Sequence, residues 1–320
     1  MYDLIIIGGG PCGLACAIEA EQRGLSYRVL EKGSITDGVY RFPQNMTFFS
    51  TAELLEIGGI PFNCLTPRPS RTEALNYYRG IVKHFSLQLR LYTEVTSIRR
   101  LATDGFQVTD HKGTGRNCRN LILATGYYGT PNQLNIPGEN LPHVSHYYTE
   151  PHHSAGLNVV IVGGGNSGIE AALELYRNGS NVTLVHREDC LKPTIKYWVL
   201  PDIENRIKAG SIKAIFNTEA TEITDDSVIL SSRDQTVPKS LPADFVYLLT
   251  GYTPQVGFLD QLGANYDAET LKPHLDSNLQ TSVPGLFVAG SAISGRETGV
   301  IFVENGRFHP QQIFPALLRR

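Results

Sequence analysis

A buried apolar run that passes straight into three glycines and then into a helix occurs twice in this chain. Leu4-Ile5-Ile6-Ile7 leads into Gly8-Gly9-Gly10-Pro11-Cys12-Gly13, and Val159-Val160-Ile161-Val162 leads into Gly163-Gly164-Gly165-Asn166-Ser167-Gly168. The offset, 163 − 8 = 155 residues, is about one domain. Both runs are continuous rather than alternating, as parallel strands buried on both faces are. Small and apolar residues then recur at helical spacing, Leu14, Ala17, Ile18 and Ile169, Ala172, Leu173, Leu175, with Gly24 and Gly179 closing the helices. A second strand follows each, at Tyr27 to Leu30 and Val182 to Val185. In such a turn the first glycine bends the chain, the second admits a pyrophosphate, and the third lets helix pack on strand. The phosphates sit on the free N–H groups of the helix N-terminus.

The residue that ends each second strand separates the two ligands. The first copy has Glu31, at the interval where a carboxylate accepts bonds from ribose hydroxyls, followed by Lys32. The second has His186 and Arg187; an arginine fork binds a 2′-phosphate that a carboxylate would repel. Two adenine-dinucleotide sites of this kind predict FAD on Gly8, Gly10, Pro11, Cys12, Gly13, Glu31 and Lys32, and NADPH on Gly163, Gly165, Asn166, Ser167, Gly168, His186 and Arg187. Two further strands end alike, in Ala124-Thr125-Gly126-Tyr127 and Leu249-Thr250-Gly251-Tyr252, where the chain leaves each sheet beside its cofactor. Thr125 and Gly126 are therefore added to the FAD set, with Thr47, Phe48, Val95, Gly290 and Ser291, and Gly251 to the NADPH set. The fold expected is α/β with two Rossmann-like dinucleotide-binding domains: 1–127 with 253–320 for FAD, and 128–252 for NADPH. The proline-bearing stretch 130–156 reads as a connector and hinge for rotation of one domain against the other. A helix is expected from about Gly299, returning to the first sheet, and Cys118 is expected to precede a buried strand.

Composition narrows the class. With 28 Lys+Arg against 31 Asp+Glu there is no basic face for nucleic acid or anionic lipid. No apolar run approaches the ~20 residues of a membrane span, and Asp3 and the early glycines do not suit a signal peptide. Five cysteines without framework spacing suggest free thiols in a reducing cytoplasm. His152-His153 have no partners at metal spacing, so no metal site is expected.

The order of these motifs, ending in Gly285-Leu286-Phe287-Val288-Ala289-Gly290, resembles the low-molecular-weight thioredoxin reductases over the whole chain. Thr47-Phe48-Phe49-Ser50 with Glu53-Leu54-Leu55-Glu56-Ile57-Gly58, Ile195 to Pro201, and Phe302-Val303-Glu304-Asn305-Gly306-Arg307 resemble the YpdA-type bacillithiol disulfide reductases in particular. The resemblance implies a thioredoxin reductase-like fold, NADPH-driven and FAD-dependent reduction of the disulfide of a small thiol, and a homodimer or higher homo-oligomer. It also implies a redox role for Cys12. Thioredoxin reductases carry Cys-x-x-Cys in the NADPH domain, and this chain does not. Cys12 and Cys16, at i and i+4 on a helix, are too far apart for a disulfide. Cys12 opens a helix, where N–H groups and the dipole lower a thiol pKa, while Cys16 and Cys64 read as packing residues. The family's Gly-Asp flavin contact reads Gly290-Ser291 here. Three other readings share the two-dinucleotide layout: a flavin monooxygenase, whose fingerprint Ile136 to Tyr147 imitates with a Gly138-to-His143 gap one residue too long; a ferredoxin- or flavodoxin-NADP reductase; and a non-catalytic FAD- and NADPH-sensing module.

Overall fold

The two apolar runs become strands of two separate sheets, each paired in parallel with its neighbours on both sides. The computed structural model describes residues 1–232, 234, 236 and 239–319; residues 233, 235, 237, 238 and 320 of the expected domains lie outside them. The chain opens with β1 (Tyr2–Ile7), α1 (Pro11–Gln22) and β2 (Tyr27–Leu30), then α2 (Asp37–Tyr40), α3 (Ala52–Leu55) and α4 (Arg71–His84). Four strands follow, β3 (Leu89–Arg90), β4 (Val95–Arg100), β5 (Phe106–Asp110) and β6 (Gly115–Leu123). Next come β7 (Val144–Ser145), β8 (Asn158–Val162), α5 (Asn166–Arg177), β9 (Asn181–Val185), α6 (Leu200–Lys208) and β10 (Lys213–Ile215). They continue as β11 (Thr218–Ile223), β12 (Ser227–Ser232), β13 (Ser240–Pro242) and β14 (Phe245–Leu248). The chain ends with α7 (Gly257–Leu262), β15 (Leu286–Val288), α8 (Val303–Gly306) and α9 (His309–Leu317). Two compact units result: Met1–Thr130 with Tyr252–Arg320, and Pro131–Gly251.

In the first unit the sheet order is β3-β2-β1-β6-β5-β4, with β15 also on β6. β6 changes character along its length. Its first half alternates exposed and buried and pairs antiparallel with β5; its second half, Leu121 to Leu123, is buried throughout and pairs parallel with β1 and β15. Cys118 lies inside this strand, not before it, because the alternating half already belongs to the sheet. The core on one face joins Leu4 and Ile6 to Leu14, Ala17 and Ile18 of α1 and to Ile313 and Phe314 of α9. So the C-terminal segment does return to the first sheet, but not as one helix from Gly299. Residues 299–302 are irregular, and the helix is split into α8 and α9, with Pro310 in the first turn of α9 where its fixed φ suits a helix start.

The second unit holds a parallel sheet, β10-β9-β8-β14-β7, and an antiparallel one, β11-β12-β13. The stretch 130–156 is more than a connector: Val144 and Ser145 form the edge strand β7, pairing with Val246 and Tyr247. Among the described residues no helix is long and apolar enough to cross a membrane.

The glycine loops are geometrically the same device. Gly8 (φ +109°) and Gly163 (φ +127°) occupy backbone open chiefly to glycine. A Cβ on Gly13 would lie 2.0 Å from Gly8 O, and one on Gly168 2.0 Å from Gly163 O, so helix and strand touch through backbone alone. Gly10 differs: its φ is −73°, and a Cβ there would meet nothing within 4 Å. We therefore expect Gly13→Ala to lower unfolding stability by about 2–3 kcal/mol or more. Gly10→Ala should cost less than about 1 kcal/mol, the helix-cap preference for glycine over alanine, yet lose bound dinucleotide. Urea melts with assay of retained flavin check this; equal destabilisation by the two would refute it.

Candidate functional site

Outside the carboxyl ends of β1, β2 and β6 the first unit has a cavity of about 580 Å³. This is where open α/β sheets hold ligands. Gly8, Gly10, Pro11, Cys12, Glu31, Lys32, Phe48, Val95, Thr125, Gly126, Gly290 and Ser291 all line it. Two residues expected there do not. Gly13 is buried beneath the loop and serves the helix–strand contact. Thr47 is exposed and bridges Ser70; on an extended backbone its neighbour Phe48 takes the inward side.

Glu31 fixes the loop. Its Oε2 accepts from Gly9 N–H (2.5 Å) and its Oε1 from Gly33 N–H (2.8 Å). Burial pushes its carboxyl above the usual range, and those two N–H donors pull back against it. A carboxylate has about four lone-pair sites, so two remain for ribose hydroxyls. α1 has no side-chain cap and no acid in its first turn, which leaves its N-terminal N–H groups to an anion. Aromatic rings close the wall: Phe42 packs edge-on to Phe48 and Tyr128, and Phe49 to Phe302. Cavity size, apolar rings, open Gly10 and the Glu31 carboxylate fit a flavin dinucleotide.

Cys12 departs from expectation. Its sulfur fills the space left by two glycines: a Cβ on Gly306 would come within 2.6 Å of Sγ, and one on Gly290 within 3.2 Å. Burial, with the charge of Glu304 second, pushes the thiol up to about 12, so desolvation outweighs the helix N-terminus and the group is a thiol at neutral pH. Cys12, Cys16 and Cys64 are all unpaired cysteines; Cys16 is fully buried, while Cys64 is half-buried with its Sγ 2.8 Å from Thr66 O.

Sequence reasoning missed three participants. His309, buried at the start of α9, accepts from Gly290 N–H through Nδ1 (2.9 Å) and shapes the Gly290-Ser291 turn. Glu304 and Phe302 line the cavity, and Ser50 donates to Glu304 Oε1. Phe302 and Glu304 had a local signal only as members of the string Phe302 to Arg307, and His309 lies outside it.

In the second unit the loop repeats with a different anchor. Gly164 N–H donates to His186 Nδ1 (3.2 Å), the same bond that Gly9 makes to Glu31. Burial lowers the His186 pKa, so this residue is a neutral anchor for the loop beside the charged Arg187. Its proton then sits on Nε2, which is buried without a hydrogen-bond partner among the described residues and suits a dinucleotide oxygen. Arg187 is exposed next to Glu188, 3.1 Å away. Asn166 is committed elsewhere: Nδ2 donates to Thr194 O (3.1 Å) and Oδ1 accepts from Lys196 N–H (2.9 Å). Ser167 is exposed in the first turn of α5, and Gly251 has a φ of +96° beside Asn132. No group of three or more His, Cys, Asp or Glu able to hold a metal occurs among the described residues.

A family model described as pyridine nucleotide-disulphide oxidoreductase matches residues 5–290. The chain is 38% identical over 317 residues to the bacilliredoxin reductase Bdr of Bacillus subtilis strain 168, covering 99% of this chain and 97% of that one. The solved bacillithiol disulfide reductase Bdr (YpdA) of Bacillus cereus superposes with a TM-score of 0.93 at 37% identity, covering 100% and 99% of the two chains. Thioredoxin reductase of T. acidophilum, at 23% identity and a TM-score of 0.76 over 99% of this chain and 98% of its own, shows the same fold.

His309 gives this site a pH dependence. Burial pushes its pKa down to about 4 from 6.5. Its folded value is depressed, so the stability it contributes is present above 6.5 and is lost as pH falls towards 4. We expect the urea midpoint to drop between about pH 6.5 and 5, and to drop less in His309→Asn, whose amide oxygen can accept from Gly290 without titrating. The same slope in both proteins would exclude His309 as the group responsible.

Proposed function

The chain belongs to the pyridine nucleotide-disulphide oxidoreductase family and is an FAD-dependent, NADPH-using enzyme; we propose that it reduces the disulfide of a low-molecular-weight thiol, with bacillithiol disulfide as substrate. The observation that carries the substrate is end-to-end likeness to a reductase named for it. The chain also has no Cys-x-x-Cys with which to serve thioredoxin.

We assign FAD to the first unit, with its diphosphate on the Gly8–Gly13 loop and α1, and its adenosine ribose on Glu31. NADPH goes to the second unit, on the Gly163–Gly168 loop, with Arg187 on the 2′-phosphate. Bound FAD supplies the two-electron relay between nicotinamide and disulfide. The residues themselves orient and exclude. Phe42, Phe48 and Tyr128 keep water from the cavity wall, and His309 holds the Gly290 turn that carries Ser291. Ser291 offers a hydroxyl where the thioredoxin reductases have a carboxylate. Cys12 is assigned as the thiol that forms a mixed disulfide with half of the substrate, releasing the other half. Because burial keeps it protonated, its proton must leave as it attacks.

Under argon, each NADPH consumed should release two thiols from bacillithiol disulfide. NADPH oxidation that requires oxygen and frees no thiol would overturn the reading in favour of a monooxygenase or oxidase.

Cys12→Ser keeps the volume that packs against Gly290 and Gly306. It should retain FAD and its reduction by NADPH, while disulfide turnover falls at least about a hundredfold, about 2.7 kcal/mol of barrier. Turnover at the wild-type rate would make Cys12 a packing residue only.

A further inference from the structure

Reducing a disulfide with NADPH consumes one proton besides the hydride: NADPH + H⁺ + RSSR gives NADP⁺ + 2 RSH. Both electrons come from the nicotinamide and the S–S bond breaks. One sulfur leaves as a thiolate and must receive a proton. If Cys12 gives its thiol proton to that sulfur, it must regain one when the mixed disulfide is cleaved, so each turnover still draws one proton from solvent.

Among the described residues the cavity lining contains no histidine, and most of its other ionisable side chains have fixed tasks. Both oxygens of Glu31 hold backbone N–H groups. Asp37 pairs with Arg41 at 2.6 Å. Lys32 reaches Gly129 O at 3.4 Å. Burial raises Tyr127 and so holds its proton more tightly. Glu94 is exposed, at the Thr93–Thr96 end of the cavity.

Glu304 is placed differently. It is half-buried on α8, and Ser50 donates to its Oε1 across 254 residues of sequence. Phe49, next to Ser50 in the chain, packs edge-on against Phe302 with ring centroids 5.4 Å apart. Arg307, three residues on, donates from its Nη1 to Glu53 O (2.7 Å) and Glu56 O (2.8 Å). Three links therefore clip segment 49–56 to segment 302–307. They hold one carboxylate at a fixed place in the wall, close enough to Cys12 for its charge to act on that thiol.

We propose that Glu304, held by Ser50, is the residue that delivers a solvent proton to the leaving thiolate during disulfide reduction. This rests on the disulfide-reductase reading, and it holds whether or not Cys12 is the nucleophile. The carboxyl gives its proton to RS⁻, and the resulting carboxylate is reprotonated from water. Ser50 fixes the oxygen and so acts as a positioning residue.

The test separates the two half-reactions anaerobically in the FAD-loaded protein. Enzyme reduced with one equivalent of NADPH is mixed with bacillithiol disulfide in a stopped-flow instrument at several pH values. A group that acts in its protonated form makes the wild-type reoxidation rate fall as pH rises. Glu304→Gln should slow reoxidation by about a hundredfold or more and abolish that slope, with the NADPH half-reaction as internal control. Glu304→Asp should recover part of both the rate and the slope, and Ser50→Ala should slow reoxidation while keeping the slope. Reoxidation of Glu304→Gln at the wild-type rate with the wild-type slope overturns the proposal. Should Glu304→Gln fail to hold FAD, Glu304→Asp and Ser50→Ala decide: unchanged rates in both overturn it. Wild-type enzyme that NADPH reduces but bacillithiol disulfide does not reoxidise overturns the substrate reading, a result distinct from failure of Glu304.

Discussion

One hydrogen bond, made twice, organises this protein: the N–H of the middle loop glycine donates to the residue that ends the second strand. Gly9 gives it to the Glu31 carboxylate and Gly164 to the His186 imidazole. It pins the loop across two adjacent strands, while the backbone contact of the third glycine pins the following helix. The N-terminus of that helix is thereby aimed at a fixed point beyond the sheet, where a diphosphate can sit. The acceptor also sets the charge beside the adenosine: an acid in one copy, a neutral ring next to an arginine in the other. On the proposed assignment, that choice is what divides FAD from NADPH.

The site in the first unit is assembled from pieces remote in sequence. The loop of α1 supplies Cys12, the segment before α3 supplies Phe49 and Ser50, and α8 supplies Phe302 and Glu304. β15, pairing with the second half of β6, delivers the Gly290 turn and the C-terminal helices to the cavity. Burial is what decides chemistry there. It outweighs the helix N-terminus at Cys12 and keeps His309 neutral, so neither group carries charge at neutral pH. The proposed proton path runs instead through Glu304, whose carboxylate accepts from the Ser50 hydroxyl.

The two loops, both second strands and the return of the C-terminus to the first sheet were legible because their signals are local: continuous apolar runs, glycines at fixed offsets, a charged residue at a set interval. The division of labour at His186 was not, because a histidine can be cation or acceptor and only burial against Gly164 decides. Nor was the role of Asn166, which looks like a loop residue but spends both ends of its amide on the 194–196 backbone. The Ser50–Glu304 and Gly290–His309 contacts depend on tertiary neighbours and leave no periodic trace. Cys12 shows the opposite hazard: a local rule about helix N-termini holds in isolation and loses to desolvation in the folded chain.

The claim that the strand-ending residues divide the cofactors is tested most directly by one ratio: the dissociation constant of NADH over that of NADPH, measured for the wild type and for Arg187→Ala. Losing a charge-assisted contact to the 2′-phosphate costs about 1.5–3 kcal/mol. The account predicts that NADPH binding weakens about ten- to a hundredfold while NADH binding stays nearly the same, collapsing the ratio. Equal weakening of both would contradict it, and would mean that Arg187 supports the loop rather than reading the phosphate.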